Sequence, residues 1–516
     1  MPGRVPVLGH MLFLDAPTAF KQAEAAMRAA DARMMTVSLL GRPDSVILRH
    51  PDDCAAVARD EGAFTKAGTG WRKLEAWLGH GLVSDPDAAH HAAVRGVLAP
   101  AFKAAAVRGF APLFAEVGEE LAAALQAEAA AAGGRAIDAR GACRRATLDV
   151  IGRAAFGYDF GALRFAAARA GGGGAGGGAD AEIGDADCDV VSLFDAVLMP
   201  AMLLLFELPL PQSLIPGIRG YHRHADQALP PGLTITRPKG ASISKLDAVV
   251  DRILKAKRAA GADGAAAAAG GGGRDILSFM LRAQAEGSEV ITDRQIRDEL
   301  HTFMFAGSDT TAGTLAFALY ELSRHPDVQA AAAAEARAAL PALAAPGGGG
   351  GAAAAARTPL LSGVARRAVR GTVVGGHTIA KGSIVLPSPY GAQRHPAFWP
   401  RPDEWLPARW LPENAAELAP HADTAWFPFS QGPRSCIGKY FALQEMQVLL
   451  AVLLARLSFG RAEGYEADTV QSFTLSTPLS AARLSFGGAE GYEADTVQSF
   501  TLSTRGGALV VPAPRP

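Results

Sequence analysis

The chain has 516 residues, 49% of them hydrophobic and 20% charged, enough for one large domain or up to about three ordinary ones around a sizeable core. A net charge of −1 gives no electrostatic case for nucleic acid as a partner. The four cysteines, Cys54, Cys143, Cys188 and Cys436, are scattered without a C-x-x-C pair. That argues against a zinc site or a disulfide framework, and for a reducing compartment.

In chain order, the first ten residues are neither a signal peptide nor a transit peptide. No apolar run approaches the roughly 20 residues of a membrane-spanning helix; the best, 197–206, is broken by Pro200. A soluble protein, or one lacking its anchor, is expected. Residues 34–48 alternate around Gly41-Arg42-Pro43 and predict a β-hairpin. Helical periodicity follows over 51–59, 87–102, 113–132 and 142–156. The Gly/Ala tracts 171–179, 265–273 and 347–356 are low-complexity insertions rather than packed structure. A long helix starts at Thr292, where Gln295 completes a capping-box pattern, and runs to about Arg324, where His325-Pro326 ends it. Its length, some 50 Å at the α-helical rise, predicts a buried helix crossing the whole molecule. From Val373 the pattern changes to short strands and turns, then to a Pro- and Trp-rich stretch at 398–412. The expected class is mainly α with a minor β region (α+β), as a single domain over 1–516. Residues 455–477 recur at 482–504 with one difference, Arg461 against Gly488. A single near-perfect copy is a duplication rather than a structural repeat. The second copy is expected in the native position, because Gly506-Gly507 and a closing strand follow it.

Two short segments carry chemistry. Cys436 lies in the loop Phe429-Ser430-Gln431-Gly432-Pro433-Arg434-Ser435-Cys436-Ile437-Gly438, just before a helix-forming run. A free thiol is ordinarily a small buried hydrophobe, which explains the cysteine and not its company. A thiolate ligand is stabilised by nearby positive charge and by a helix N-terminus; Arg434 and the helix from about residue 439 supply both. Gly432 and Gly438 let the backbone approach a flat group closely, with Phe429 placed to pack over the sulfur. Midway along the long helix, Ala306-Gly307-Ser308-Asp309-Thr310-Thr311 offers a small pair that admits a planar cofactor, and an acid beside an alcohol. Ala306 and Thr310, four apart, share a face. Such hydroxyls also bend helices by bonding back to the i−4 carbonyl.

The Cys436 loop resembles the haem-binding signature of the cytochrome P450 family, and the Ala306 to Thr311 segment resembles that family's oxygen-activating helix. The Pro-rich start, 147–160, 321–329, 376–409 and the final strands read like eukaryotic, membrane-associated members. The resemblance implies a cytochrome P450-like fold holding haem b (iron protoporphyrin IX), with Cys436 as the axial iron ligand that favours O–O cleavage. It implies that Thr310 and Asp309, with water, deliver protons during oxygen activation. It implies propionate contacts from Arg434, from His91 and Arg95 on one helix face, and from Arg366. The implied activity is a monooxygenase acting on a small lipophilic substrate with O2, fed from NADPH by a flavoprotein reductase, and associated with the endoplasmic reticulum membrane. The cytoplasm or a plastid is the alternative location, since no targeting segment is evident. A haem-thiolate isomerase or dehydratase needing no reductase, and a non-catalytic haem-binding relic, are competing readings; Asp309-Thr310 favours the monooxygenase. Substrate choice falls to the loops 194–221 and 68–83. One departure stands out. The family's Glu-x-x-Arg helix, whose charges lock to the Arg of a later Pro-x-Arg-Trp stretch (here Arg409), is missing from 347–359. Glu321 and Arg324 have that spacing but come too early, so Arg409 is expected to lack partners.

Overall fold

Thr292 caps the longest helix as its sequence predicts: its hydroxyl accepts the Gln295 N–H at 3.1 Å, and the helix runs over Asp293–Arg324. A computed structural model of the chain describes residues 19–38, 43–69, 74–164, 166, 190–191, 193, 242–262, 275–343, 365–462, 469–472, 501–504 and 509–515. The three Gly/Ala tracts, the loop 194–221 and the region 347–359 lie outside them. The longer helices are α1 (Ala19–Ala29), α2 (Pro51–Arg59), α3 (Ala88–Leu98), α4 (Ala111–Ala131), α5 (Ala139–Ile151), α6 (Ser242–Ala262), α7 (Ile276–Ala285), α8 (Asp293–Arg324), α9 (Pro326–Leu343) and α10 (Lys439–Arg456). Among the described residues no single helix is long and apolar enough to cross a membrane.

α8 is 32 residues long, about 48 Å, and is buried over most of its length because α5 and α10 pack against it. Small residues set the spacing. A Cβ on Gly307 would stand 2.8 Å from Ile151 of α5, and Thr147 donates to the Ser308 carbonyl at 2.7 Å, tying the two helices. A Cβ on Gly118 of α4 would likewise meet Val452 of α10 at 3.0 Å. The main core is the Leu-, Ala- and Phe-rich face shared by α4, α5, α8 and α10. The α5 helix ends in a π-turn over Gly152–Phe156, closed by Gly157 at φ 64.

The expected hairpin forms from β1 (Met34–Val37) and β2 (Ser45–Leu48) in antiparallel register. It extends into a five-stranded sheet ordered β1-β2-β8-β5-β3, with β3 at Phe64–Thr65, β5 at Arg366–Ala368 and β8 at Ile384–Pro387. β6 (Thr372–Val374) and β7 (His377–Ile379) pair around Gly375 and Gly376, both at positive φ. The α+β class holds, with helices dominant.

The expectation for the duplicated tail is corrected. β9 (Leu457–Arg461) comes from the first copy and pairs with β12 (Leu509–Pro514), which also pairs with β4 (Ile137–Asp138). Leu457 and Phe459 are buried in the core, and Gln329 of α9 bonds the Phe459 backbone in both directions at 2.9 Å. The reason is chain continuity: α10 runs straight into Leu457, so no other copy reaches that sheet edge first. The second copy contributes β11 (Thr501–Thr504), paired with β10 (Thr469–Ser472) of the first.

Candidate active site

The cysteine loop is wound by two residues in the left-handed region, Ser430 at φ 60 and Gly432 at φ 72. It is closed by the Cys436 N–H to the Phe429 carbonyl at 2.9 Å and the Ser435 N–H to the Gly432 carbonyl at 3.0 Å. Gly432 is required by packing within the protein: its Cβ would fall 2.3 Å from the Ala58 carbonyl oxygen at the end of α2. Gly438 is different. Its Cβ would meet only the Cys436 sulfur, at 3.9 Å. Phe429 is half-buried and packs on the main core.

Cys436 is exposed, yet the surrounding protein is dense enough that burial is the main influence on its thiol, pushing the pKa up. The Gly438 N–H, Arg95 and Lys439 act in the opposite sense, favouring the thiolate. Cys54 and Cys143 are fully buried, with thiols pushed up to about 12 by burial, so neither competes as a ligand.

On α8 a stripe of half-exposed residues, Ala306, Thr310, Gly313, Thr314 and Phe317, interrupts an otherwise buried helix. Their spacing puts them on one face, and a Cβ on Gly313 would meet nothing within 4 Å. This face borders open space. Gly307 faces Ile151 of α5, where a Cβ would stand 2.8 Å away. Thr310 donates to the Ala306 carbonyl at 2.8 Å and Thr314 to that of Thr310 at 3.0 Å, so the hydroxyls bond back along the helix. Asp309 does not stand beside the Thr310 hydroxyl as an acid next to an alcohol. It is buried and turned to α5, 3.5 Å from Arg144 and 3.9 Å from Arg140, with Oδ1 accepting no hydrogen bond.

Sequence reasoning missed one group here. Glu445 of α10 is buried, bonds Thr311 of α8, and has its carboxyl raised well above the usual range by burial. The signal was present: one acid in the apolar run of α10. Nothing in the spacing pointed to Arg140 and Arg144.

A cationic cluster gathers from four elements. Asp87 caps α3 by accepting the Ala89 and His90 N–H groups, and α3 presents His91 and Arg95. Arg95 donates to the Ser435 carbonyl at 2.7 Å. Arg434 donates to Glu61 and to the Asp85 carbonyl, each at 2.7 Å. Arg366 on β5 is almost wholly buried, and burial and Arg434 lower its pKa to about 10. His91 is buried rather than a surface charge, and burial together with Arg434, Lys66, Arg95 and Arg366 lowers it to about 3. Lys66, just after β3, was not foreseen. It is buried, donates to the Val83 carbonyl, and is held well below its usual range by burial, Arg366 and Arg434. Burial first, and neighbouring cations second, lower Lys66, His91, Arg95 and Arg366, so an anion brought among them would be held favourably. The four expected contacts, His91, Arg95, Arg366 and Arg434, thus come together in one place.

These observations fit an iron porphyrin: a soft sulfur donor for the metal, an open helix face beside small residues, and buried cations for two carboxylates. The expectation that Arg409 lacks partners is corrected too. It is buried, and its guanidinium donates to the carbonyls of Leu418 at 2.8 Å, Arg401 at 3.0 Å and Pro400 at 3.1 Å. Neutral carbonyls satisfy it where carboxylates were expected.

Comparison with known proteins agrees with this geometry. The cytochrome P450 family model matches residues 1–168, 234–345 and 357–482. Human cytochrome P450 4F2 is 35% identical over 199 residues, covering 35% of this chain and 37% of that protein. Mouse leukotriene-B4 omega-hydroxylase 3 is 35% identical over 197 residues, with the same coverage. The chain thus spans little more than a third of the length of these relatives. The crystal structure of the cytochrome P450DA heme domain superimposes with a TM-score of 0.73 at 24% identity, covering 100% of this chain and 97% of that one. It shows the fold.

Proposed function

Because the chain belongs to the cytochrome P450 family, we propose that it is a haem-thiolate monooxygenase that inserts one atom of O2 into a lipophilic substrate. The observation that carries this is the pairing of an accessible, poorly solvated Cys436 with the buried cationic cluster that Arg95 ties to the neighbouring Ser435. Cys436 would ligate the iron. Arg95, Arg366, Arg434 and Lys66 would hold the propionates by charge, and His91, kept neutral by its surroundings, would do so by hydrogen bonding. When bound, the haem supplies the redox centre for O2, with thiolate donation favouring O–O cleavage.

The remaining work falls to the chain. The half-exposed face of α8 would form one wall of the reaction space. Thr310 would hold a proton at Oγ1 there, anchored by its bond to Ala306. Asp309 sits one residue away, about 100° around the helix, and would deliver a proton by leaving Arg144 and Arg140 or through water. An NADPH-dependent flavoprotein reductase would supply electrons, and peripheral membrane contact would bring lipophilic substrates. The name of the mouse relative, a leukotriene-B4 omega-hydroxylase, makes lipids with a terminal alkyl carbon the first class to try. Reconstitution with a reductase and NADPH tests this. Reductase- and O2-dependent hydroxylation is expected; turnover of lipid peroxides without a reductase would instead favour an isomerase or dehydratase.

A further inference from the structure

The loop 79–85 is held from two sides. From α8, three side chains on its first two turns grip its start. Asp298 accepts the His80 N–H at 3.0 Å, Glu299 accepts the Leu82 N–H at 2.9 Å, and Gln295 donates both to the His80 carbonyl at 3.1 Å and to Glu299 at 2.9 Å. All three are buried. The loop is shaped to this grip: a Cβ on Gly79 would overlap the Asp298 carboxylate at 2.1 Å, and one on Gly81 the Thr302 hydroxyl at 2.0 Å. At its other end the loop offers carbonyls to the cationic cluster, that of Val83 to Lys66 and that of Asp85 to Arg434.

We propose that Gln295, Asp298 and Glu299 form a latch on the loop 79–85, and are positioning residues that set Lys66 and Arg434 for anion binding. The proposal rests on the reading of that cluster as the haem-propionate site. Residues in the first third of α8 would then govern how firmly the cofactor is retained, without touching it.

The latch has a built-in pH response. Glu299 is raised to about 8, by burial first and by the neighbouring Asp298 and Asp85, against the hydrogen bonds of Gln295 and Leu82. The other charges around it are Arg294, 3.9 Å from Asp298, and His80 and His90, which approach Asp85 at 3.7 and 2.8 Å. A folded-state pKa above the usual carboxyl value means the neutral acid is the form that folding favours. The grip is therefore complete below the usual carboxyl range, about pH 4.5, and is lost progressively as pH rises from there to about 8, beside two other carboxylates.

The test uses the full, haem-loaded chain and reads haem release to an acceptor globin, together with amide hydrogen exchange at His80 and Leu82. Gln295→Ala removes two hydrogen bonds and should speed release at least about threefold to tenfold, the fold-change for losing one of them, and should speed exchange at both amides. Glu299→Gln keeps an acceptor without a titrating group. It should abolish the acceleration of release that the wild-type chain shows as pH rises from about 4.5 to about 8. The proposal is overturned if Gln295→Ala leaves exchange at both amides unaltered, or speeds exchange without speeding release. It is equally overturned if Glu299→Gln retains the full pH response. If the wild-type chain takes up no haem at all, the functional reading fails instead, and the grip is judged by exchange alone.

Discussion

Gly432→Ala and Gly438→Ala separate the fold of the cysteine loop from its ligand space. At Gly432 the new methyl meets two penalties. A φ of 72° costs a non-glycine residue roughly 1–2 kcal/mol. The methyl also lands 2.3 Å from the Ala58 oxygen, 2.9 Å from its carbon and 3.1 Å from the Arg59 Cα. These are backbone atoms that cannot swing aside, so overpacking adds about 1–3 kcal/mol. The sum, about 2–5 kcal/mol, is a large share of ordinary domain stability. At Gly438 φ is −82°, and the methyl has only the Cys436 sulfur, at 3.9 Å, for company. Its cost in the haem-free chain should stay below about 1 kcal/mol, close to that of a surface change. In the haem-loaded chain the same methyl occupies space next to the proposed iron ligand and should weaken haem retention. Urea unfolding of both haem-free variants, followed by circular dichroism, gives the first comparison; haem titration of Gly438→Ala gives the second. Equal destabilisation by the two substitutions, or a Gly438→Ala variant that binds haem like the wild type, would refute the reasoning.

Thr310→Ala should raise NADPH consumption per product formed, read as the ratio of NADPH oxidised to product in the reductase assay; unaltered coupling would remove Thr310 from proton delivery. Arg409→Ala strands the carbonyls of Pro400, Arg401 and Leu418 and should cost at least about 1.5–3 kcal/mol in urea unfolding, the range for a hydrogen bond to a charged group. Arg409→Lys should recover little of that, since an ammonium lacks the planar fork of donors that the guanidinium presents. Glu445 carries a carboxyl raised above its unfolded value by burial, so its contribution to stability is present at low pH and declines as pH rises above about 4.5, the usual carboxyl range. Glu445→Gln should flatten the part of the stability–pH curve that declines above about pH 4.5, and an unchanged slope would contradict the assignment.

Much of the fold was legible because it is local. The Thr292 cap, the His325-Pro326 stop and the Gly375-Gly376 turn fix ends by short-range chemistry, and α2, α8 and the first hairpin fall where periodicity places them. Cys436, Arg434, His91, Arg95 and Arg366 were legible through spacing within a motif or along one helix face. What escaped needed tertiary neighbours. Lys66 joins the cluster only because β3 and the loop 79–85 meet, and Asp309 faces α5 because Arg140 and Arg144 lie there. Gly432 and Gly307 show a different limit. A glycine reports that something is close, and sequence alone does not say whether that is a ligand or, as here, the Ala58 backbone and the Ile151 side chain. The duplicated tail was misjudged because chain continuity from α10 outweighed the glycines that follow the second copy.

The central claim is that Cys436 is the thiolate ligand of a haem held by the cationic cluster. The reduced-plus-carbon-monoxide difference spectrum of the full chain, reconstituted with haem b, tests it most directly. A red-shifted, thiolate-type Soret band that is lost in Cys436→Ser is the predicted result. A band of the kind given by a neutral nitrogen ligand, or one unchanged by Cys436→Ser, would contradict it.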